Sequence, residues 1–168
     1  MKLSFSTKGW HGYSWDEFCN IAEKQGFNGI ELHNINNASF SEKNGAFYST
    51  SAQATVRNMY EKNLRIPCID TLANPACIEE REAFTKELDK CLEIACALHI
   101  PYVRIKATDT GADYETQKNE VISVLSAIIP KAEKLGVTIS VETAGIFADT
   151  TKLLDVLNTF ACDSLAAL

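Results

Sequence analysis

The stretch that decides the fold is GVTISVETAG (residues 136–145), in which apolar and polar residues alternate as far as Glu142. Such alternation predicts a β-strand that places its three branched apolar side chains on one face and Thr138, Ser140 and Glu142 on the other. A carboxylate at the end of a strand is costly to bury against a helix unless it is paired. The segment therefore predicts one face against a helix layer and the other toward a solvated cavity.

Two other segments, residues 29–33 and 102–107, have the same one-sided alternation. Strands of an open doubly wound sheet are covered by helices on both faces and are apolar throughout. A barrel instead turns one face of each strand inward, and its C-terminal mouth collects polar side chains around one cavity. The polar positions of these two segments are Glu31, His33, Arg104 and Lys106. We therefore favour a barrel.

The whole chain alternates between strand-like runs and amphipathic helical segments. The spacing of the strand starts, about 26 to 37 residues, fits a strand, a crossover helix and two loops. Those starts lie near residues 3, 29, 65, 102, 137 and 164. The expected fold is α/β, with parallel (β/α) repeats that form an incomplete TIM barrel of about six strands and five helices. Residues 1–168 are expected to form a single partial barrel domain.

Capping residues set the expected helix boundaries. Ser14 and Glu17 have the spacing of a capping box, and Asp113 and Asp149 precede later helical patterns. Pro130 lies inside the apolar pattern that follows Asp113, where it removes one helical hydrogen bond. We therefore expect a kink or a restart of the helix at Pro130.

Composition restricts the function classes. The formal net charge is −6 and the charged residues form no runs, so a nucleic-acid partner is disfavoured. The start MKLSFSTKGW lacks the apolar core of a secretory signal, and no stretch approaches the length that spans a bilayer. Six cysteines occur singly in apolar segments, which is typical of buried reduced thiols. We expect a cytoplasmic protein with no membrane partner.

Charged side chains from three strands are expected to meet at the mouth of the barrel. Buried charges of this kind must pair with each other, bind a metal or bind a charged ligand. The alternative is that Glu31 and one of the two basic residues form only an internal ion pair. Glu142 is the strongest single candidate because a TAG turn follows it directly.

The chain resembles the xylose isomerase-like TIM-barrel superfamily of sugar and sugar-phosphate isomerases and epimerases. The segments that carry the resemblance are residues 26–32 (GFNGIEL), 101–105 (PYVRI) and 136–150, and the similarity spans residues 1–168. The resemblance implies a divalent metal (Mn, Mg, Zn or Co) in the complete protein, with Glu142 as one ligand and as an acid/base residue. In such an enzyme the metal would polarise a substrate oxygen while the adjacent C–H proton is removed. Arg104 and Lys106 would bind the sugar or its phosphate. Trp10 and His11 would pack against the sugar ring.

The sequence also departs from that family. Leu168 ends the chain where the sixth strand should deliver an aspartate ligand, so we expect a truncated barrel that is inactive alone. Two alternatives stay open. One is a metal-dependent apurinic endonuclease, which should have several histidine ligands, whereas only three histidines occur here. The other is a non-catalytic sugar-binding module that forms a homo-oligomer through its open sheet edges.

Overall fold

The computed structural model describes residues 1–168 and contains one sheet of six parallel strands. The strands are β1 (Ser4–Ser6), β2 (Gly29–His33), β3 (Cys68–Asp70), β4 (Tyr102–Ile105), β5 (Thr138–Val141) and β6 (Leu165–Ala167). They lie side by side in chain order, without the reversal of strand order that marks a doubly wound sheet. The predicted parallel (β/α) repeat and incomplete TIM barrel are therefore confirmed.

Helices connect the strands. They are α1 (Trp15–Gln25), α2 (Ala38–Ser41), α3 (Ala52–Glu61), α4 (Arg81–Leu98), α5 (Tyr114–Leu135) and α6 (Thr150–Phe160). Five of the six are the predicted crossover helices. The short α2 was not predicted, and it forms because the side chain of Asn37 accepts a hydrogen bond from the Ser39 N–H at 2.9 Å. None of the helices is both long and apolar enough to span a membrane.

The predicted caps are present. Ser14 Oγ accepts from the Glu17 N–H at 3.3 Å, and Glu17 Oε2 accepts from the Ser14 N–H at 2.7 Å, which completes the capping box. Asp113 caps α5 through the Thr116 N–H at 3.0 Å. Hydrogen bonds from the Thr116 side chain and backbone also lower the pKa of Asp113. These local contacts place the starts of α1 and α5 where the sequence indicated.

Pro130 does not restart the helix. α5 is continuous from Tyr114 to Leu135 across this proline. Pro130 and Ser126, whose carbonyl would have accepted the missing hydrogen bond, both lie on the exposed side of the helix. Water can therefore satisfy that carbonyl, which explains why the predicted restart is wrong.

The apolar faces of the strands form the centre of the core, as the alternation predicted. Ile30, Ile69, Val103, Ile105 and Ile139 are all fully buried. They belong to one cluster of 38 buried residues that also includes the apolar faces of the crossover helices. With this face against the helices, the polar side chains of the same strands point the other way and converge at the C-terminal ends of the strands.

Candidate functional site

The guanidinium of Arg104 on β4 is the centre of the candidate site. Its Nη2 donates to Glu31 Oε1 at 3.0 Å and lies 2.9 Å from Asp70 Oδ2, and its Nε donates to Asp70 Oδ1 at 3.1 Å. The register of the sheet causes this arrangement, because Asp70 on β3 lies directly opposite Arg104. The ion pair between Glu31 and Arg104 that the sequence suggested is therefore present, and it is part of a larger cluster.

Asp70 is the residue of this site that sequence reasoning missed. Its side chain is only 3% exposed, and Oδ2 lies 2.6 Å from His33 Nδ1 and 4.0 Å from Lys8 Nζ. A carboxylate can only accept hydrogen bonds, so Nδ1 of neutral His33 carries the proton and Nε2 keeps its lone pair. The sequence feature that could have identified Asp70 is its place at the end of a short strand, which is similar to the place of Glu142 after β5.

The cluster is electrically balanced. Burial lowers the pKa of the Arg104 guanidinium, but its contacts with Asp70, Glu31 and Glu142 raise it more, and the net pKa is raised. Three cations (Lys8, Arg104 and Lys106) and three carboxylates (Glu31, Asp70 and Glu142) make up the linked set. The charges cancel when His33 is neutral.

Glu142 lies at the open side of the cluster, just after β5. Its Oε2 is 3.7 Å from Arg104 Nη1, and its Oε1 is 3.8 Å from Lys106 Nζ. Both distances exceed that of a direct hydrogen bond. The side chains of Glu142 and Lys106 are 27% and 41% exposed, whereas that of Arg104 is 16% exposed. Glu142 and Lys106 are thus more accessible to a ligand than Arg104, and Lys8, at 56%, is the most exposed member of the cluster.

The loop that follows Glu142 is held against β4 by a close backbone contact. The Glu142 N–H donates to the Ile105 carbonyl at 2.9 Å, and the Ile146 N–H donates to the Ala107 carbonyl at 3.0 Å. Gly145 has φ +60°, and a Cβ atom added there would lie 2.0 Å from the Ala107 carbonyl oxygen. Only glycine permits this approach. The contact fixes the position of Glu142 relative to Arg104 on β4 and Lys106 just after it.

A buried glutamate on α4 holds the loop that follows Asp70. Glu87 is 8% exposed, and its two carboxylate oxygens accept from the backbone N–H groups of Leu72 at 3.0 Å and Ala73 at 2.8 Å. Charge-assisted bonds of this kind to backbone donors are strong. The helix layer therefore supports the loop directly behind Asp70.

Trp10 lies to one side of the charged cluster, in the loop between β1 and α1. Its ring centroid is 5.4 Å from those of Phe5 and Tyr13, and Trp10 remains 39% exposed. Trp10, His11 and His33 line a cavity of about 410 Å³, whose lining does not include Lys106 or Glu142. Trp10 therefore shares this cavity with His33 and a second, more open cavity with Lys8.

The residues of this chain do not form the ligand set of a divalent metal. No group of three or more His, Cys, Asp or Glu side chains is arranged to hold a metal ion. Both oxygens of Glu142, the predicted ligand, face cations. Hard divalent cations require about six oxygen ligands, and neighbouring ammonium and guanidinium groups repel them.

The chain was compared with protein families and with curated proteins. A family model described as "Xylose isomerase-like TIM barrel" matches residues 19–165. A comparison with curated proteins gives no match.

Several solved structures superpose on nearly the whole chain. The IOLI protein with a binding zinc atom has a TM-score of 0.78 at 18% identity, covering 98% of this chain and 61% of that chain. D-psicose 3-epimerase in the presence of D-fructose has a TM-score of 0.77 at 12% identity, with coverage of 99% and 62%. The probable 3-DHS dehydratase AsbF from Bacillus anthracis has a TM-score of 0.76 at 16% identity, again with coverage of 99% and 62%. This chain thus spans about three fifths of these proteins, and the likeness shows the fold.

Proposed function

The chain belongs to the xylose isomerase-like TIM-barrel family, and on that premise we propose that it forms the sugar-binding face of an isomerase or epimerase that moves a proton next to a carbonyl group. The observation that supports this most is the convergence of Glu31, Asp70, Arg104 and Glu142 from four adjacent strands. In this fold the active site usually lies at the C-terminal mouth of the barrel, where these polar groups converge.

The proposed roles follow from exposure and contacts. Arg104 is held from two sides by Asp70 and Glu31, so it is a rigid donor that orients a substrate oxygen. Glu142 is accessible, and its carboxylate is the proposed acid/base group for the C–H proton. Glu31, His33 and Lys106 would bind hydroxyl groups. Trp10 would pack against the apolar face of the sugar ring.

This proposal is tested by proton exchange in deuterium oxide. The purified chain is incubated with D-fructose and excess MnCl2, and loss of the C–H signal next to the carbonyl is followed by NMR. Full turnover is not expected of the truncated barrel, but proton exchange requires only the bound sugar and a positioned base. We therefore expect Glu142→Gln to slow exchange by about 100-fold or more, because a positioned base contributes that much. Glu133→Gln, at an exposed position on α5, is the matched control. Equal rates in the two variants would remove Glu142 from the chemistry.

A non-catalytic sugar-binding module is the second candidate. It is favoured by the balanced charges of the cluster and by the cavity beside Trp10 and His33. D-fructose would then perturb the amide resonances of residues in the site, with no exchange of the C–H proton. Association of two copies through the edges of β1 and β6, and a cytoplasmic location, remain predictions.

A further inference from the structure

The cavity beside Trp10 differs from the charged cluster in the side chains that line it. Its volume is about 410 Å³, and no Asp, Glu, Lys or Arg residue lines it. Pockets that bind small molecules have volumes of about 300–1,000 Å³ and a largely apolar and aromatic lining. An uncharged ligand with a large apolar part therefore fits this cavity better than an ion does. Six aromatic residues line it: Trp10, Tyr13, Trp15, Phe18, Phe40 and Phe47.

These aromatic side chains leave ring surface uncovered. In the loop between β1 and α1, the ring centroids of Trp10 and Tyr13 are 5.4 Å apart at 72°, and the two residues are 39% and 48% exposed. In α2 and the loop that follows it, the rings of Phe40 and Phe47 are stacked at 5.1 Å. Aromatic rings attract one another in edge-to-face and offset-stacked arrangements. An apolar cavity of about 150 Å³ already binds benzene, so this one has ample room for a substituted aromatic ring.

The cavity also has a defined hydrogen-bond acceptor. Thr7 Oγ1 already accepts from the His33 N–H at 2.9 Å, and Asn37 Oδ1 accepts from the Ser39 N–H at 2.9 Å. The imidazole of His33 is different, because its Nδ1 is held by Asp70 at 2.6 Å and the lone pair of Nε2 is left for the cavity. One hydroxyl donor on the ligand matches this acceptor, whereas a monosaccharide has several hydroxyl groups to satisfy.

We propose that this cavity binds a phenolic ring, with the ring among the aromatic side chains and the phenolic hydroxyl donating to Nε2 of His33. The inference goes beyond the proposed function and does not depend on proton transfer at Glu142. Trp10 also lines a second, more open cavity that includes Lys8, whose Nζ lies 4.0 Å from Asp70 Oδ2 in the charged cluster. A sugar at the charged cluster has that open cavity beside it, so the two ligands do not need the same space.

The test titrates the 15N-labelled full chain with three probes of similar size: phenol, cyclohexanol and anisole. Cyclohexanol keeps the hydroxyl group but has no aromatic ring, and anisole keeps the ring but has no hydrogen to donate. We expect phenol to perturb the indole N–H of Trp10 and the ring nitrogens of His33. Phenol should bind about two- to tenfold more tightly than either of the other probes, since each of them loses one of the two contacts.

A pair of variants locates the bound ring. Trp10→Leu should weaken phenol binding by about two- to tenfold, because leucine keeps an apolar surface and removes the aromatic contact. Tyr102→Leu is the matched control and should leave the affinity unchanged. Tyr102 is 45% exposed, and it lies at the N-terminal end of β4, away from the mouth. Tyr13→Leu replaces Trp10→Leu if that variant folds poorly, and the three probes need no variant.

The other outcomes separate this inference from the proposed function. Equal affinities for cyclohexanol and phenol would refute the aromatic ligand, and equal affinities for anisole and phenol would refute His33 as the acceptor. Displacement of phenol by D-fructose would assign the cavity to the sugar, overturning the inference while the proposed function stands. No perturbation by phenol would refute the inference alone. Perturbation by phenol with no response to D-fructose would refute the proposed function and leave the inference supported.

Discussion

Replacement of Asp70 by asparagine should destabilise the fold, because this buried carboxylate compensates the guanidinium of Arg104. Asp70 is 3% exposed and contacts Arg104 through both of its oxygens. Breaking a buried ion pair by removing one partner costs about 3–5 kcal/mol. Arg104 is 16% exposed and keeps Glu31, so we expect a smaller loss of about 2–3 kcal/mol in the free energy of unfolding.

Urea unfolding followed by far-UV circular dichroism measures this loss. The midpoint should fall by about 1–2 M at an unchanged slope, given typical slopes of about 1–3 kcal/mol/M. Asp89→Asn is the control, since Asp89 is 43% exposed and pairs with Lys131 at the surface. That pair should contribute about 1 kcal/mol or less. If Asp70→Asn costs no more than Asp89→Asn, the Arg104 cluster does not depend on Asp70 and our account of the site is wrong.

Two further predictions concern single positions. Gly145→Ala should lower the free energy of unfolding, measured in urea, by more than Gly111→Ala does. Both glycines have positive φ, which alone costs an alanine about 1–3 kcal/mol. Only at Gly145 would the new Cβ also meet a backbone atom, the Ala107 carbonyl oxygen. Equal losses would show that the loop moves away from β4 without cost. Burial raises the pKa of the Cys68 thiol to about 12, so at about pH 8 only about one Cys68 thiol in 10,000 is ionised. Because the thiolate is the form that reacts, an alkylating reagent should modify the partly exposed Cys162 well before Cys68. Mass spectrometry of the labelled chain measures this order. Comparable labelling rates would contradict the buried position of Cys68.

Much of the fold could be predicted from local patterns. The bounds of β2 and the start of α1 agree with the alternation and the capping box, because both signals arise from neighbours within a few residues. One-sided alternation also showed that Glu31, Arg104 and Glu142 share a face. Pro130 shows where such reasoning ends, since its cost depends on whether the freed carbonyl reaches water, and that depends on which side of α5 is exposed.

The sequence by itself determined the order of strands and helices and the side of each strand that carries charge, because both depend on periodicity along the chain. Only the tertiary structure showed which charges meet. Asp70 became the central partner of Arg104 through the register between β3 and β4, and Trp10 came next to His33 through the packing of a loop. Register and loop packing are decided by backbone hydrogen bonds and core contacts between distant segments, and no local pattern of residues contains that information.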